Sequence, residues 1–163
     1  MSESWVINAS PTILLAKVGL IELVPKLTQE FVIPQPVVWE ILNVAGQDAA
    51  ADWLNGAGKK FIRAAVEETP SLSGSQIGPG ERAVISWAVV HPGFVAVLDD
   101  LGARHIGQRL GLKVIGTVGI ILRLKKASLI AEAKPHLQKI REAGGYIGDH
   151  LFREALKQVG ENS

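Results

Sequence analysis

The sequence predicts an α/β domain built on a mostly parallel sheet of four or five strands, covered on both faces by helices. Three observations carry that expectation. Short apolar runs recur from Trp5 to Ile115, helical patterns separate them one by one, and neither a repeat nor a linker divides the 163 residues. That length suits a single core. Strands buried on both faces read as continuous apolar runs rather than as alternating ones.

Taken in order, the first run is Trp5–Ile7, which ends in the polar Asn8. Ser10 is a good N-cap and Pro11 a good first helical residue for "PTILLAKV", which stops at Gly19. "LIELVPKL" adds a helical turn or two, interrupted by Pro25. Phe31–Ile33 is the second strand, and Pro36 opens the helix "PVVWEILNV". Phe61–Val66 reads as an edge strand. After the turn Gly78-Pro79-Gly80 comes the helix "ERAVISWAVV", and then the strand Phe94–Leu98. Asp100 precedes the helix "LGARHIGQRL", which stops at Gly111, and Lys113–Ile115 is the last strand. From Thr117 the pattern changes to three helical segments, "VGIILRLKKASLI", "KPHLQKIREAGG" and "DHLFREALKQVG", with a break at Gly144-Gly145. The expected organisation is one domain over 1–163, its core over about 4–127 and a helical C-terminal extension over about 128–160. That extension caps the sheet or serves an oligomer surface.

Composition narrows the class. Hydrophobic residues make up 47% and charged ones 20%, which predicts a packed globule. No apolar run is long enough to span a bilayer, and Met1-Ser2-Glu3-Ser4 lacks the basic and apolar regions of a signal peptide. The absence of cysteine rules out disulfides, iron–sulfur clusters and thiolate zinc sites, and it suits a cytoplasmic protein. With a net charge of +1, attraction to nucleic acid has to come from a local patch.

Ligands of open parallel sheets bind beyond the carboxyl ends of the strands. Those ends carry Asn8, Asp99-Asp100 and Gly116-Thr117, and two helix starts bring Glu40 and Glu81 toward the same edge. Carboxylates that converge repel one another, and a divalent cation is the usual relief. Oxygen ligands without His or Cys select Mg²⁺ or Mn²⁺, ions that activate water and hold a phosphodiester. Each residue also has an ordinary reading. Asp100 is placed to cap its own helix, Asp99 to sit in a solvated turn, and Glu81 to gain from a helix dipole. Glu40 suits a helix surface, and Asn8 suits a bond to loop backbone. Their shared location is what singles them out.

The blocks "INASPTILLAKVGLIELVPKL", "VIPQPVVWEI", "GPGERAVISWA", "VLDDLGARHIGQRLGLKVIGTVGIIL" and "KKASLI" resemble successive parts of the PIN-domain superfamily. More closely, they resemble its PIN-like branch of prokaryotic proteins related to VapC-type toxins. The likeness runs from Trp5 through "GGYIGDHLFREAL", and the order and spacing of the blocks carry it. The resemblance implies a three-layer α/β/α sandwich and an acidic cluster that binds Mg²⁺ or Mn²⁺ for ribonuclease chemistry. By position, the catalytic acids fall on Glu40, Glu81 and Asp100, with Asn8 and Asp99 completing the metal set. Ser10 and Thr117 are then supporting hydroxyls, and Arg104 and Arg109 hold the RNA backbone. It further implies a homodimer and an antitoxin-like protein partner. Two departures stand out. Asn8 occupies a position where active PIN nucleases usually carry aspartate, and Leu98 replaces the serine or threonine often found two places before Asp100. An amide oxygen still ligates a hard cation, but one negative charge is lost. The alternative to an enzyme is therefore an inactive module of the same fold that binds RNA or a protein.

Other patterns lead elsewhere. "GPGERA" matches a dinucleotide fingerprint, but polar loop rather than a strand precedes it, so its glycines are expected to form a turn before Glu81. "NGAGKK" lacks the first glycine and the Ser or Thr of a phosphate loop and reads as a turn. His91, His105, His136 and His150 show no zinc spacing, and only His105 lies near the acidic edge. Lys113, Arg123, Lys125 and Lys126 fit solvated helix faces. Trp39, Trp53 and Trp87 sit in apolar helical patterns and are expected in the core.

Overall fold

The computed structural model describes residues 3–44 and 48–162; Met1 and Ser2, part of the leader reading, lie outside them. One sheet runs through the molecule in the order β3-β2-β1-β4-β5. Its strands are β1 (Glu3–Ile7), β2 (Thr28–Pro34), β3 (Ile62–Arg63), β4 (Phe94–Val97) and β5 (Val114–Ile115). Every neighbouring pair is parallel, so the expected α/β architecture is borne out. The helices are α1 (Ala9–Lys17), α2 (Gln35–Asn43), α3 (Asp48–Asn55), α4 (Pro79–Val90), α5 (Leu101–Arg109), α6 (Thr117–Lys126), α7 (Lys134–Glu142) and α8 (Asp149–Gln158). In this order the connections leave β1 toward β2 on one side and β4 toward β5 on the other. The crevice between the carboxyl ends of β1 and β4 is thus the topological switch point, where such sheets bind ligands.

The middle of the sheet is dry on both faces. Trp5, Val6, Ile7, Phe31, Val32, Ile33 and Val95–Leu98 are all buried, as the continuous apolar runs require. Leu137, Ile140, Phe152 and Leu156 of α7 and α8 join the same hydrophobic cluster, so the C-terminal helices pack on this core. Near the β3 edge, Phe31, Trp53 and Phe61 form an aromatic group, with Phe61 5.3 Å from Phe31 and 6.0 Å from Trp53. A Cβ on Gly58 would meet the Trp53 ring at 2.7 Å. The glycine of "NGAGKK" therefore makes room for an indole rather than for a phosphate.

Several local expectations need correction. Ser10 is not the N-cap of α1. The helix starts at Ala9 with Asn8 in the cap position, because the Asn8 carbonyl already accepts the Thr12 hydroxyl at 2.8 Å and the Thr12 amide at 3.4 Å. Ser10 is exposed in the first turn. Residues Ile21–Leu27 form a 3₁₀ helix around Pro25. "GPGERA" is not a turn throughout: Gly78 caps α4, and Pro79 and Gly80 are already helical. The helix α3 was not anticipated. Trp39 is 58% exposed rather than in the core. Val37, Val38 and Ile41 turn one side of α2 inward, which at 3.6 residues per turn points Trp39 and Leu42 outward.

Glu161 ties the end of the chain to the core. Its carboxylate accepts the Ala133 and Lys134 amides at 2.6 and 2.9 Å, capping α7 from a distance, and lies 3.4 Å from Lys125. Burial pushes this carboxyl up, but the two amides and Lys125 outweigh it and hold the group below its ordinary value of 4.5. A depressed carboxylate stabilises the fold above its unfolded value and loses that contribution as pH falls through the folded one. Glu161→Gln is accordingly expected to cost about 1 kcal/mol at neutral pH, the scale of a lost cap. Urea titrations of both proteins should converge as pH is lowered from 4.5. An equal gap at neutral and acidic pH would show that its charge is not what stabilises.

Candidate metal centre

Asn8 follows β1 directly, and its backbone amide extends the ladder to the Val97 carbonyl at 3.1 Å. This places Asn8 beside the end of β4, in the switch-point crevice. The residue is only 5% exposed, yet its Oδ1 has no hydrogen-bond partner and does not cap α1. Leaving a buried acceptor unmet costs on the order of 1–3 kcal/mol. Such an atom calls for an explanation, and an absent ligand is one.

Around it, each carboxylate is held by a helix N-terminus. Glu40 projects from α2, and its Oε1 accepts the Gly80 amide of α4 at 2.7 Å. Glu81 reaches back within α4, its Oε1 taking the Gly78 amide at 3.0 Å. Asp100 follows β4 and caps α5, Oδ2 accepting the Ala103 amide at 2.9 Å. Asp99 uses both oxygens on Thr117, taking its amide at 2.7 Å and its hydroxyl at 2.6 Å at the start of α6. First-turn amides have no partner within their own helix, which is why they are free for this. The cap reading of Asp100 therefore holds, and it leaves Oδ1 over. Glu40 and Glu81 likewise keep Oε2 free of protein donors among the described residues.

Electrostatics link three of these groups. Burial pushes the Glu81 carboxyl above its ordinary range; the Gly78 amide pulls it back, while the charges of Asp100 and Glu40 push it further up. Asn8 Oδ1 and Glu40 Oε1 approach one spot, lying 3.0 and 2.8 Å from where a Cβ on Gly80 would stand. Among the described residues, no three Asp, Glu, His or Cys side chains close into a finished metal set. What is assembled is an amide oxygen without a partner, with Glu40 beside it and Glu81 within electrostatic reach of Glu40 and Asp100. All are hard oxygen donors. With one oxygen of each acid already on an amide, single-oxygen ligation suits small octahedral Mg²⁺ or Mn²⁺, so the donor chemistry fits the expected ion.

The basic residues divide. Arg104 turns inward, its Nη1 donating to the Leu98 carbonyl at 3.0 Å. Lys113 pairs with Glu3 and Lys125 with Glu161. Arg109 remains exposed on α5, lining an open cleft with Gly102, His105 and Gln108. Reasoning from sequence missed the amides of Gly78 and Gly80 as carboxylate holders. The two glycines ahead of Glu81 were the available signal, read there only as a turn.

The Asp99–Thr117 pair is nearly inaccessible at its hydroxyl, Thr117 being 3% exposed. Thr117→Val keeps the shape and removes the donor, leaving a carboxylate oxygen short of a partner. The expected loss is about 1–3 kcal/mol in a denaturant titration; no loss would mean that water replaces the hydroxyl at no cost. Conversely, Glu81→Gln in chelator-treated protein should raise the melting temperature, because it removes the middle member of a set of like charges. A lower melting temperature would show that the Glu81 charge stabilises α4 more than its neighbours oppose it.

A family model described as PIN domain matches residues 4–161, nearly the whole chain. No curated protein matches closely enough to count as a relative. With an all-parallel sheet and acids gathered at its switch point, the chain belongs to the PIN-domain family.

Proposed function

We propose that the protein is a Mg²⁺- or Mn²⁺-dependent ribonuclease of the VapC-like kind, weakened by Asn8. The observation that carries this reading is the Asn8 Oδ1 atom, buried without a partner in the crevice that Glu40, Glu81 and Asp100 rim. A cation accounts for the unmet oxygen and the gathered charge at once. When bound, such an ion supplies water activation and neutralises a phosphodiester, so no protein nucleophile is required. Asn8, Glu40, Glu81 and Asp100 offer the oxygens, and Asp99 adds its charge beside them. Thr117 fixes Asp99. Ser10, exposed one turn from the site, offers a hydroxyl to a bound phosphate. Arg104, in the first turns of α5, lies near the edge and offers an RNA backbone the nitrogen not spent on Leu98, whereas Arg109 stands at the far end of α5 and could meet only a more distant stretch of that backbone.

The wider proposal includes a cytoplasmic setting, a homodimer and control by an antitoxin-like protein. Exposed apolar side chains on α2, Trp39, Leu42 and Val44 next to it, support an interface. No helix among the described residues is long and apolar enough to cross a membrane.

One observation favours a second reading. Asn8 brings no charge, so the same site with too little affinity for the ion is a binding module for RNA or protein. Calorimetry with Mn²⁺ separates the two. The enzyme reading expects binding by the wild type, about ten-fold tighter binding by Asn8→Asp, and loss in Asp100→Ala, with RNA cleavage following the same order. Binding by Asn8→Asp alone would hand the protein to the module reading. If Asp100→Ala left cleavage intact, the residue assignment would be wrong.

A further inference from the structure

Gly80 is helical and is not among the glycines with positive φ, so its backbone does not demand glycine. Inside a helix glycine is the poorest residue after proline, and its presence calls for a steric reason. That reason is visible. A Cβ at this position would stand 2.8 Å from Glu40 Oε1 and 2.9 Å from Glu40 Cδ, closer than side-chain atoms tolerate, and 3.0 Å from Asn8 Oδ1, a contact that is tight but yields to a small shift. The amide of the same residue donates to Glu40 Oε1. Gly78, two positions earlier, shows no such crowding, its nearest neighbour lying at 3.7 Å.

The geometry points to Gly80 as a positioning residue: its missing side chain is the seat in which the Glu40 carboxylate and the Asn8 amide oxygen converge. Its N–H then holds the carboxylate from the other side. A methyl group there displaces Glu40 but not the fold, because what must move most is the end of a half-buried, flexible side chain. Alanine is also the better helix former, so the helix gains while the site loses. The functional consequence rests on the cation reading above; the geometry does not.

Gly80→Ala and Glu40→Ala, measured beside the wild type, test this with three readouts. Gly80→Ala should melt at or above the wild type. In amide proton–nitrogen spectra, the residue-80 amide proton should move upfield in both variants, as it loses its carboxylate acceptor. Mn²⁺ affinity should fall at least about ten-fold in Gly80→Ala, to the level of Glu40→Ala. The inference is overturned if Gly80→Ala fails to fold, keeps the wild-type amide proton shift, or binds Mn²⁺ as the wild type does. A wild type that binds no Mn²⁺ removes the cation reading instead, and the amide shift still decides whether Gly80 seats Glu40.

Discussion

The acidic edge depends on the unsatisfied amides of helix N-termini. Helices α1, α2, α4, α5 and α6 begin at the carboxyl edge of the sheet; the acids draw on the starts of α4, α5 and α6, where N–H groups have no partner within their own helix. Glu40 and Glu81 take two at α4, Asp100 takes one at α5, and Asp99 takes one at α6. Each bond is charge-assisted and lies along a helix dipole, so every acid is held individually although together they repel. Remove the amides and nothing local would keep four carboxylates at one edge. The parallel topology makes the arrangement available, because every strand-to-helix crossover delivers a helix start to the same side. Two helix starts at this edge, α1 and α2, have no side-chain cap, and the first of them belongs to Asn8.

This scheme explains why stability and site chemistry diverge residue by residue. Asp100 and Asp99 gain from their positions as ordinary caps, so the fold keeps them for its own sake. Glu81 is different: its burial and its neighbours work against its charge, and one amide compensates only in part. Asn8 is the extreme case, with an acceptor in the crevice that nothing in the described structure meets. Trp5, Trp87 and His136 also leave a buried ring nitrogen unmet, so it is the carboxylates around Asn8, and not the unmet atom alone, that set its position apart.

What sequence could show tracks how local each signal is. The strands β1, β2 and β4 announce themselves as unbroken apolar runs because both faces of the sheet are covered. Reading their ends was enough to find Asn8, Asp99 and Asp100. Glu40 and Glu81 followed from helix starts and from family likeness. The bonds that organise them were out of reach, since Gly80 finds Glu40 across 40 positions and Thr117 finds Asp99 across 18. Helix α3 escaped because "DAAADWLN" spans barely two turns, too few for a period to show. Trp39 was misplaced for the opposite reason. On the turn of its helix it falls among Gln35, Asn43 and Glu40, opposite Val37 and Ile41, so its apolar character argued for the core while its position placed it outside.

Asn8 can be understood as a compromise between the empty and the filled site. An aspartate there would add a fourth charge to Glu40, Glu81 and Asp100, in a place 5% exposed, where both desolvation and repulsion oppose ionisation. The empty protein would be less stable or would keep that carboxyl protonated. The filled site would gain, because a divalent ion is better balanced by more negative oxygens. Under the proposed cation reading, asparagine would reverse both effects: the edge without the ion would be easier to fold, and the ion would be held less tightly. The substitution therefore leaves the geometry of a PIN site in place and moves the balance toward its unliganded form. On that proposal, the charge that asparagine omits, rather than the positions of the oxygens, would set the affinity for the ion.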